Sequence, residues 1–241
     1  MAVTASKIAK NLRQVRGNIA DACARVGRTP DEVRIVAVTK TVDLDTVKNC
    51  LEVGLRQFGE SHAQQLAQRF DDFDAYLQRR RNPLRGTVRW HMIGHLQRNK
   101  ARLALRAADV IHSVDSLRLA EEISSRAERD ERVVDVMLQV NCSHERQKHG
   151  CAVAAATHLG EMICSMKYVR LIGLMTMTPL LRDPERARPT FVRLREVFEE
   201  MRHQKVGGMS FRHLSMGMSQ DYAVAVEEGA TMLRIGTALF T

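Results

Sequence analysis

The chain has 241 residues, of which 44% are hydrophobic and 27% charged, with a formal net charge of +9. This length suits one α/β barrel or two small domains, and the composition is that of a globular protein with a real apolar core rather than a disordered chain. The longest apolar stretch, Leu171 to Leu181, is too short to cross a bilayer, and early basic residues leave no apolar signal segment, so we expect a cytoplasmic protein that does not enter a membrane.

The cysteines predict neither disulfides nor a zinc site. There are five, an odd number, and no two have the C-x-x-C spacing that is typical of zinc or redox motifs. Reduced thiols are therefore expected, and no metal is predicted. The five positions are Cys23, Cys50, Cys142, Cys151 and Cys164.

Much of the positive charge falls between Arg79 and Arg106, a stretch that contains no acidic residue. Such a stretch could bind nucleic acid, but a stacking surface needs several aromatic side chains and this one contains only Trp90. A solvated basic face is favoured, so nucleic acid is not expected as a partner. Attraction of anionic metabolites stays open. The basic residues are Arg79, Arg80, Arg81, Arg85, Arg89, Arg98, Lys100, Arg102 and Arg106.

The first predicted element is an N-terminal helix within residues 1–27. It ends at Gly27 and carries an apolar stripe of Ile8, Leu12, Val15, Ile19 and Val26. Eight short apolar runs follow, several of them almost continuously apolar, as in parallel strands that are buried on both faces. The predicted strands are Val33–Val38, Leu55–Phe58, Val88–Ile93, Val110–Val114, Val133–Val140, Val169–Met175, Ser210–Leu214 and Met232–Ile235.

Helices with recognisable ends lie between these strands. Helices are predicted to start at Asp43, at Ser116 and at Asp183-Pro184, and the last of them stops at Gly207-Gly208. The segment from Phe70 to Thr87 is expected to be irregular. Alternating strands and helices predict a single (β/α)8 barrel over residues 1–241, in which the N-terminal helix takes the eighth helix position because no helix follows the last strand.

Function in such barrels lies at the carboxyl ends of the strands. Lys40 comes two residues after the first apolar run, where partial desolvation would favour the neutral, nucleophilic amine. On its own this lysine could equally be a surface residue.

The last two strands carry signals for a phosphate. Ser215-Met216-Gly217-Met218-Ser219 precedes a short helix through Ala223 and Val226, with Ser219 as its expected N-cap, and small residues let a backbone approach an anion. Gly236 and Thr237 close the last strand, after Arg234, which needs an acceptor such as a ring nitrogen or an internal carboxylate. Together with Lys40, this pattern predicts a site for pyridoxal 5′-phosphate (PLP), held as a Schiff base on Lys40.

Ordered motifs along nearly the whole chain resemble those of the pyridoxal phosphate homeostasis protein family, also called the YggS/PROSC family. The motifs are Val36-Ala37-Val38-Thr39-Lys40-Thr41, Phe58-Gly59-Glu60, Trp90 to Lys100, His112-Ser113-Val114-Asp115-Ser116, Gln139-Val140-Asn141, Gly173 to Met177, Leu214 to Ser219 and Arg234-Ile235-Gly236-Thr237-Ala238.

This resemblance implies the fold of the N-terminal barrel of alanine racemase, with PLP on Lys40 and phosphate contacts near Ser215, Gly236 and Thr237. We expect Gly217 to contribute to the same phosphate site. It places Arg234 opposite the pyridine nitrogen and implies a role in PLP supply and amino-acid homeostasis. One position departs from the family, because Ser61 stands where its members usually have asparagine. Lys148 matches a lysine common in the family and could accept PLP transiently.

The leading hypothesis is a PLP carrier that serves apo PLP-dependent enzymes and responds to small amino acids, without strong catalytic turnover. The alternative is a PLP-dependent amino-acid racemase. Weak catalysis is expected because an arginine does not usefully protonate the ring nitrogen, and because a second domain that could supply an opposing base is not expected in a chain of this length. His91, His95 and Tyr222 are conceivable acids or bases.

Overall fold

Eight parallel strands close into a barrel in the computed structural model, which describes residues 2–80, 86–143, 149–179 and 181–241. The strands are β1 Arg34–Val38, β2 Gln57–Glu60, β3 Arg89–Met92, β4 Val110–Val114, β5 Val134–Asn141, β6 Cys151–Ala152, β7 Val169–Met175, β8 His213–Met218 and β9 Met232–Ile235. Each barrel strand pairs in parallel with its neighbours, and β9 pairs with β1 to close the ring. The two-residue β6 only extends the end of β5. The predicted barrel is confirmed.

Helices surround the barrel. They are α1 Ala5–Arg25, α2 Leu44–Glu52, α3 Ala63–Gln78, α4 Ala101–Leu105, α5 Leu117–Arg129, α6 Ala156–Cys164, α7 Arg188–His203, α8 Tyr222–Glu227 and α9 Thr237–Phe240. Among the described residues, none of these helices is long and apolar enough to cross a bilayer. All five cysteines are free.

The N-terminal helix α1 packs against α2, α8 and α9, and so occupies the eighth helix position as predicted. Its buried side chains include Ile8 and Leu12. Two asparagines attach its polar edge: Asn11 donates to the carbonyl of Leu239 (3.0 Å) and Asn18 to the hydroxyl of Tyr222 (2.7 Å). The helix therefore borders the carboxyl end of the barrel as well as its side.

Three local predictions were wrong. A helix, α9, does follow the last strand. Phe70–Gln78 belongs to α3 rather than to an irregular segment, because Phe73 packs against the ring of Trp90 at 5.5 Å. The seventh barrel strand, β8, runs from His213 to Met218 instead of from Ser210 to Leu214, since the small residues that suggested a turn are in fact buried strand residues.

The basic stretch is partly neutralised by acidic residues that are distant in sequence. Arg80 pairs with Glu52, Arg89 with Asp135 (2.9 Å) and Arg106 with Asp71 (2.9 Å). Arg81 and Arg85 lie outside the described residues. The stretch is thus not one continuous positive face in the part of it that is described.

Candidate functional site

A cavity of about 920 Å³ opens at the carboxyl ends of the strands. Four of the residues predicted for the site line it: Lys40, Arg234, Gly236 and Thr237. Parallel strands all end at the same face of a barrel, which explains why positions nearly 200 residues apart meet here. Ser61, at the position that departs from the family pattern, also lines this cavity.

Lys40 has an exposed side chain at the cavity and a firmly held backbone. The preceding residue, Thr39, is fully buried and donates its backbone N–H to Gly59 (3.0 Å) and its hydroxyl to Glu60 (2.6 Å). The carbonyl of Lys40 accepts a bond from Gln65 of α3 (2.8 Å). A hydrogen-bonded turn therefore presents an exposed amine to the cavity.

Glu60 is a buried carboxyl group directly behind this turn. Its Oε1 accepts from Thr39 and pairs with Arg69 at 3.3 Å, whereas Oε2 has no hydrogen-bond partner among the described residues. Burial raises the pKa of Glu60, and the hydrogen bond from Thr39 and the charge of Arg69 only partly offset that effect. Sequence reasoning noted Glu60 within a motif but gave it no role.

Arg234 is buried at the floor of the cavity, with 4% of its surface exposed. Its Nη1 donates to the hydroxyl of Ser215 (2.7 Å) and its Nη2 to the carbonyl of Thr176 (2.9 Å). Neither acceptor is a carboxylate, so of the two predicted alternatives the internal carboxylate does not hold for these bonds. Burial lowers the pKa of Arg234 to about 10, which still leaves the guanidinium charged at neutral pH.

A chain of buried polar side chains continues from Arg234 through the barrel interior. Ser215 Oγ lies 2.8 Å from His112 Nδ1, and His112 Nε2 lies 2.8 Å from His91 Nδ1. His91 Nε2 ends the chain 2.8 Å from Oε1 of Gln57. Both imidazoles are fully buried.

Burial lowers the pKa of His91 to about 3 and that of His112 well below its ordinary value, so both imidazoles are neutral. A neutral imidazole carries one N–H, and this sets the direction of each hydrogen bond in the chain. With the amide oxygen of Gln57 as acceptor, His91 donates from Nε2 and accepts at Nδ1. His112 then donates from Nε2 and accepts at Nδ1 from the Ser215 hydroxyl, whose oxygen accepts from Arg234.

Ser215 and Gly217 are not among the described residues that line the cavity. Ser215 points into the barrel and holds Arg234. Gly217 lies at an irregularity in the pairing of β8 with β9, where its φ is +91°, and a Cβ there would lie 2.6 Å from the Cβ of Ala225. A glycine is therefore required at position 217 for β8 to pack against α8.

Replacing Gly217 by alanine is expected to lower the free energy of unfolding by about 2–5 kcal/mol, from a left-handed backbone and an overpacked contact. Gly229→Ala is the matched control, because Gly229 also has a positive φ (+97°) but the nearest atom to its Cβ would be 3.7 Å away. Urea unfolding should show the larger loss in Gly217→Ala. Equal losses would show that the contact with Ala225 carries no cost.

The end of β9 and the start of α9 present backbone N–H groups at the cavity. Those of Gly236 (3.2 Å) and Ala238 (3.1 Å) both point to the hydroxyl oxygen of Ser219. Ser219 was predicted to be the N-cap residue of α8, but that residue is Asp221, and Ser219 instead accepts from the N–H groups at the start of α9. The two N–H groups and the hydroxyls of Ser219 and Thr237 form a polar patch on the cavity wall.

The three residues that the sequence offered as acids or bases do not all lie at the cavity. His95 and Tyr222 line the cavity, whereas His91 lies in the buried chain of side chains described above. Lys148 lies outside the described residues. His112, Ser219 and His149 also belong to the site or its support, and sequence reasoning gave none of them this role, because their partners come from other strands.

The match to known proteins covers nearly the whole chain. Residues 10–241 match the family model described as alanine racemase, N-terminal domain. The pyridoxal phosphate homeostasis protein of Aquifex aeolicus is 36% identical over 234 residues, which cover 96% of this chain and 96% of that protein. The chain belongs to the pyridoxal phosphate homeostasis protein family. The resemblance seen in the sequence motifs is thereby confirmed.

Two further relatives support this family assignment. The pyridoxal phosphate homeostasis protein of Escherichia coli K12 is 34% identical over 238 residues, covering 97% of this chain and 95% of that protein. Among solved structures, PipY of Synechococcus elongatus with PLP bound is 30% identical, with a TM-score of 0.81, and the match covers 97% of this chain and all of that one.

Proposed function

We propose that this chain binds PLP as a Schiff base on Lys40 and stores or delivers it within the cytoplasm, with residues 1–241 acting as one domain. The observation that carries the proposal is that Lys40, Arg234 and the N–H groups of Gly236 and Ala238 meet at one cavity. PipY, a structural relative, was solved with PLP bound.

The donor groups at the cavity suit three of the polar parts of PLP. The amine of Lys40 suits the aldehyde, and the hydroxyl of Thr237 and the N–H groups of Gly236 and Ala238 suit the phosphate, which would replace the Ser219 hydroxyl as the acceptor of these two N–H groups. Arg234 donates two of its five N–H groups to Ser215 and Thr176, and those without a partner among the described residues can donate to the ring nitrogen. Ser215 and Gly217 support these groups from behind the cavity wall.

Gly236→Val is expected to weaken PLP binding by more than about tenfold, because its two methyl groups would occupy the approach to the N–H groups. A Cβ at this position would lie 3.5 Å from the nearest atoms of Val38, an ordinary contact, so Gly236→Ala should fold normally and serve as the matched control. A fluorescence titration with PLP measures both affinities. Unchanged affinity in Gly236→Val would rule out this phosphate position.

The residues at the cavity favour binding of PLP over catalysis by the bound PLP. When bound, PLP can act as an electron sink for amino acids, and it does so best with a protonated ring nitrogen. Arg234 is fixed by Ser215, which the neutral chain of His112 and His91 fixes in turn, and a charged guanidinium disfavours a second positive charge beside it. The exposed amine of Lys40 also stays within reach of an accepting protein.

Two measurements test delivery against racemisation. Mixing the PLP-loaded protein with an apo PLP-dependent enzyme should restore that enzyme faster than passive dissociation allows. Small amino acids should shift the visible spectrum without exchanging their α-protons in deuterated water at about 1 per second or more, a typical enzyme rate. Exchange at that rate would favour the racemase instead. If the apo enzyme regains activity no faster than PLP dissociates from this protein, the delivery role would be ruled out and only a storage role would remain.

A further inference from the structure

Three side chains that can bind metals lie together at the mouth of the cavity, each contributed by a different loop. They are His95, Asp115 and His149, and one ligand atom of each lies within 4.8 Å of those of the other two. His95 follows β3, Asp115 follows β4, and His149 precedes β6. Their spacing in the sequence gives no metal motif, which is why none was predicted there.

The backbone holds all three residues in place. A Cβ at Gly94 would overlap the carbonyl oxygen of Ser61, so this glycine lets the loop that carries His95 lie directly on its neighbour. The carbonyl of His149 accepts from the buried amide of Gln139 (3.1 Å). Asp115 lies between the buried end of β4 and the start of α5.

The three side chains do not form good hydrogen bonds with one another. His95 Nδ1 is 3.5 Å from Asp115 Oδ2, which is longer than a good hydrogen bond. The rings of His95 and His149 stack at 3.7 Å with an angle of 9° between their planes. Within the described residues, the ring nitrogens of His149 have no hydrogen-bond partner. Donor atoms of the type that binds transition metals are thus gathered with their lone pairs still available.

We propose that His95, Asp115 and His149 bind a divalent transition metal of the Zn²⁺ class. Two imidazole nitrogens and one carboxylate oxygen form a ligand set that Zn²⁺ accepts while one position stays open. Ligand atoms at about 2.0–2.2 Å from one ion lie about 3–3.5 Å apart, so a small rotation of the side chains suffices. The rings must tilt out of their stack, because each lone pair lies in its ring plane, and both rings are exposed enough to turn.

The open position would face the cavity. His95 and His149 both line it together with Lys40. The fourth ligand is then an anionic oxygen that enters the cavity, such as the carboxylate of an amino acid. Binding of the metal itself does not depend on PLP, so this proposal and the proposed function can fail separately.

The test uses the full chain without PLP and without a histidine tag, with Co²⁺ as the absorbing probe and Zn²⁺ in competition. One ion per chain is expected, with visible cobalt bands that Zn²⁺ removes. His95→Ala and His149→Ala should each weaken binding by at least about tenfold, the lower end of the effect of disturbing even a supporting group at a metal site. Asp115→Asn should weaken it in the same direction.

His158→Ala is the matched control, because His158 is 80% exposed, lies 3.9 Å from Glu161, and belongs to no group of three metal-binding side chains among the described residues. Thermal unfolding without metal checks that each variant folds. Cobalt binding that is absent in the wild type, or unchanged in the double variant of His95 and His149, would overturn the proposal. Loss of binding in His158→Ala would overturn it as well.

Discussion

Replacing Lys40 by alanine is expected to remove the visible absorption of bound PLP completely while leaving the fold intact. The side chain is exposed, and the hydrogen bond that this residue makes with Gln65 uses its backbone carbonyl, which alanine keeps. No other group described at the cavity carries a primary amine, so the Schiff base should have no substitute. Absorption spectra after incubation with PLP measure the loss.

Two variants sharpen this prediction. Lys40→Arg keeps the positive charge but has no amine that can condense with an aldehyde, so it should also lack the absorption. Lys48→Ala is the control, because Lys48 lies on α2 and pairs with Asp45 (2.8 Å) away from the cavity. Absorption that survives in Lys40→Ala, or disappears in Lys48→Ala, would contradict the assignment.

The second large effect is a loss of stability in mild acid. Burial lowers the pKa of His91 to about 3 and of His213 to about 4, against 6.5 for an ordinary histidine. The unfolded chain therefore binds more protons than the folded one between these values, so the stability from neutral burial is present above pH 6.5 and is lost as the pH falls. From pH 7 to pH 5 the two groups together cost about 4 kcal/mol.

Other groups change the size of this loss but not its origin. His112, whose pKa is also lowered by burial, adds to it. Burial raises the pKa of Glu60 and Asp109, and these two groups act in the opposite direction because protonation favours their folded forms. The net loss is therefore smaller than the histidine sum, and a comparison of variants isolates the histidine part.

His91→Gln provides that comparison, since an amide can both accept from His112 and donate to Gln57 without titrating. Urea unfolding at pH 7 and pH 5 should show a smaller loss in this variant than in the wild type, by about 2 kcal/mol. His158→Gln, at an exposed position, should leave the loss unchanged. A loss in His91→Gln equal to that of the wild type would mean that this histidine is not held neutral in the fold.

The barrel could be predicted because its strands are local signals. The run before Lys40 is continuously apolar from Ile35 to Val38, and similar runs recur with helices between them. The end of β8 could not be placed, because Gly217 suggests a turn in sequence and only its packing against Ala225 shows why a strand residue must be glycine. The helix around Phe73 could not be predicted from the local sequence, because Phe73 packs against Trp90, which is distant in the chain.

Sequence patterns could predict those residues of the site that lie at the ends of strands. Lys40, Gly236 and Thr237 follow apolar runs within two residues, Arg234 lies near the end of one, and all four line the cavity. The partners of Arg234 were not predictable, since Ser215 and the carbonyl of Thr176 come from other parts of the barrel, and His112, on a further strand, holds Ser215. The cluster of His95 and His149 is non-local for the same reason.

The position of the covalent link tests the central claim most directly. The wild-type protein is loaded with PLP, reduced with borohydride and digested, and the peptides are mapped by mass spectrometry. One pyridoxyl group per chain is expected, on the peptide that contains Lys40. A pyridoxyl group on any other lysine, or no reduced adduct at all, would contradict the claim that Lys40 holds the cofactor.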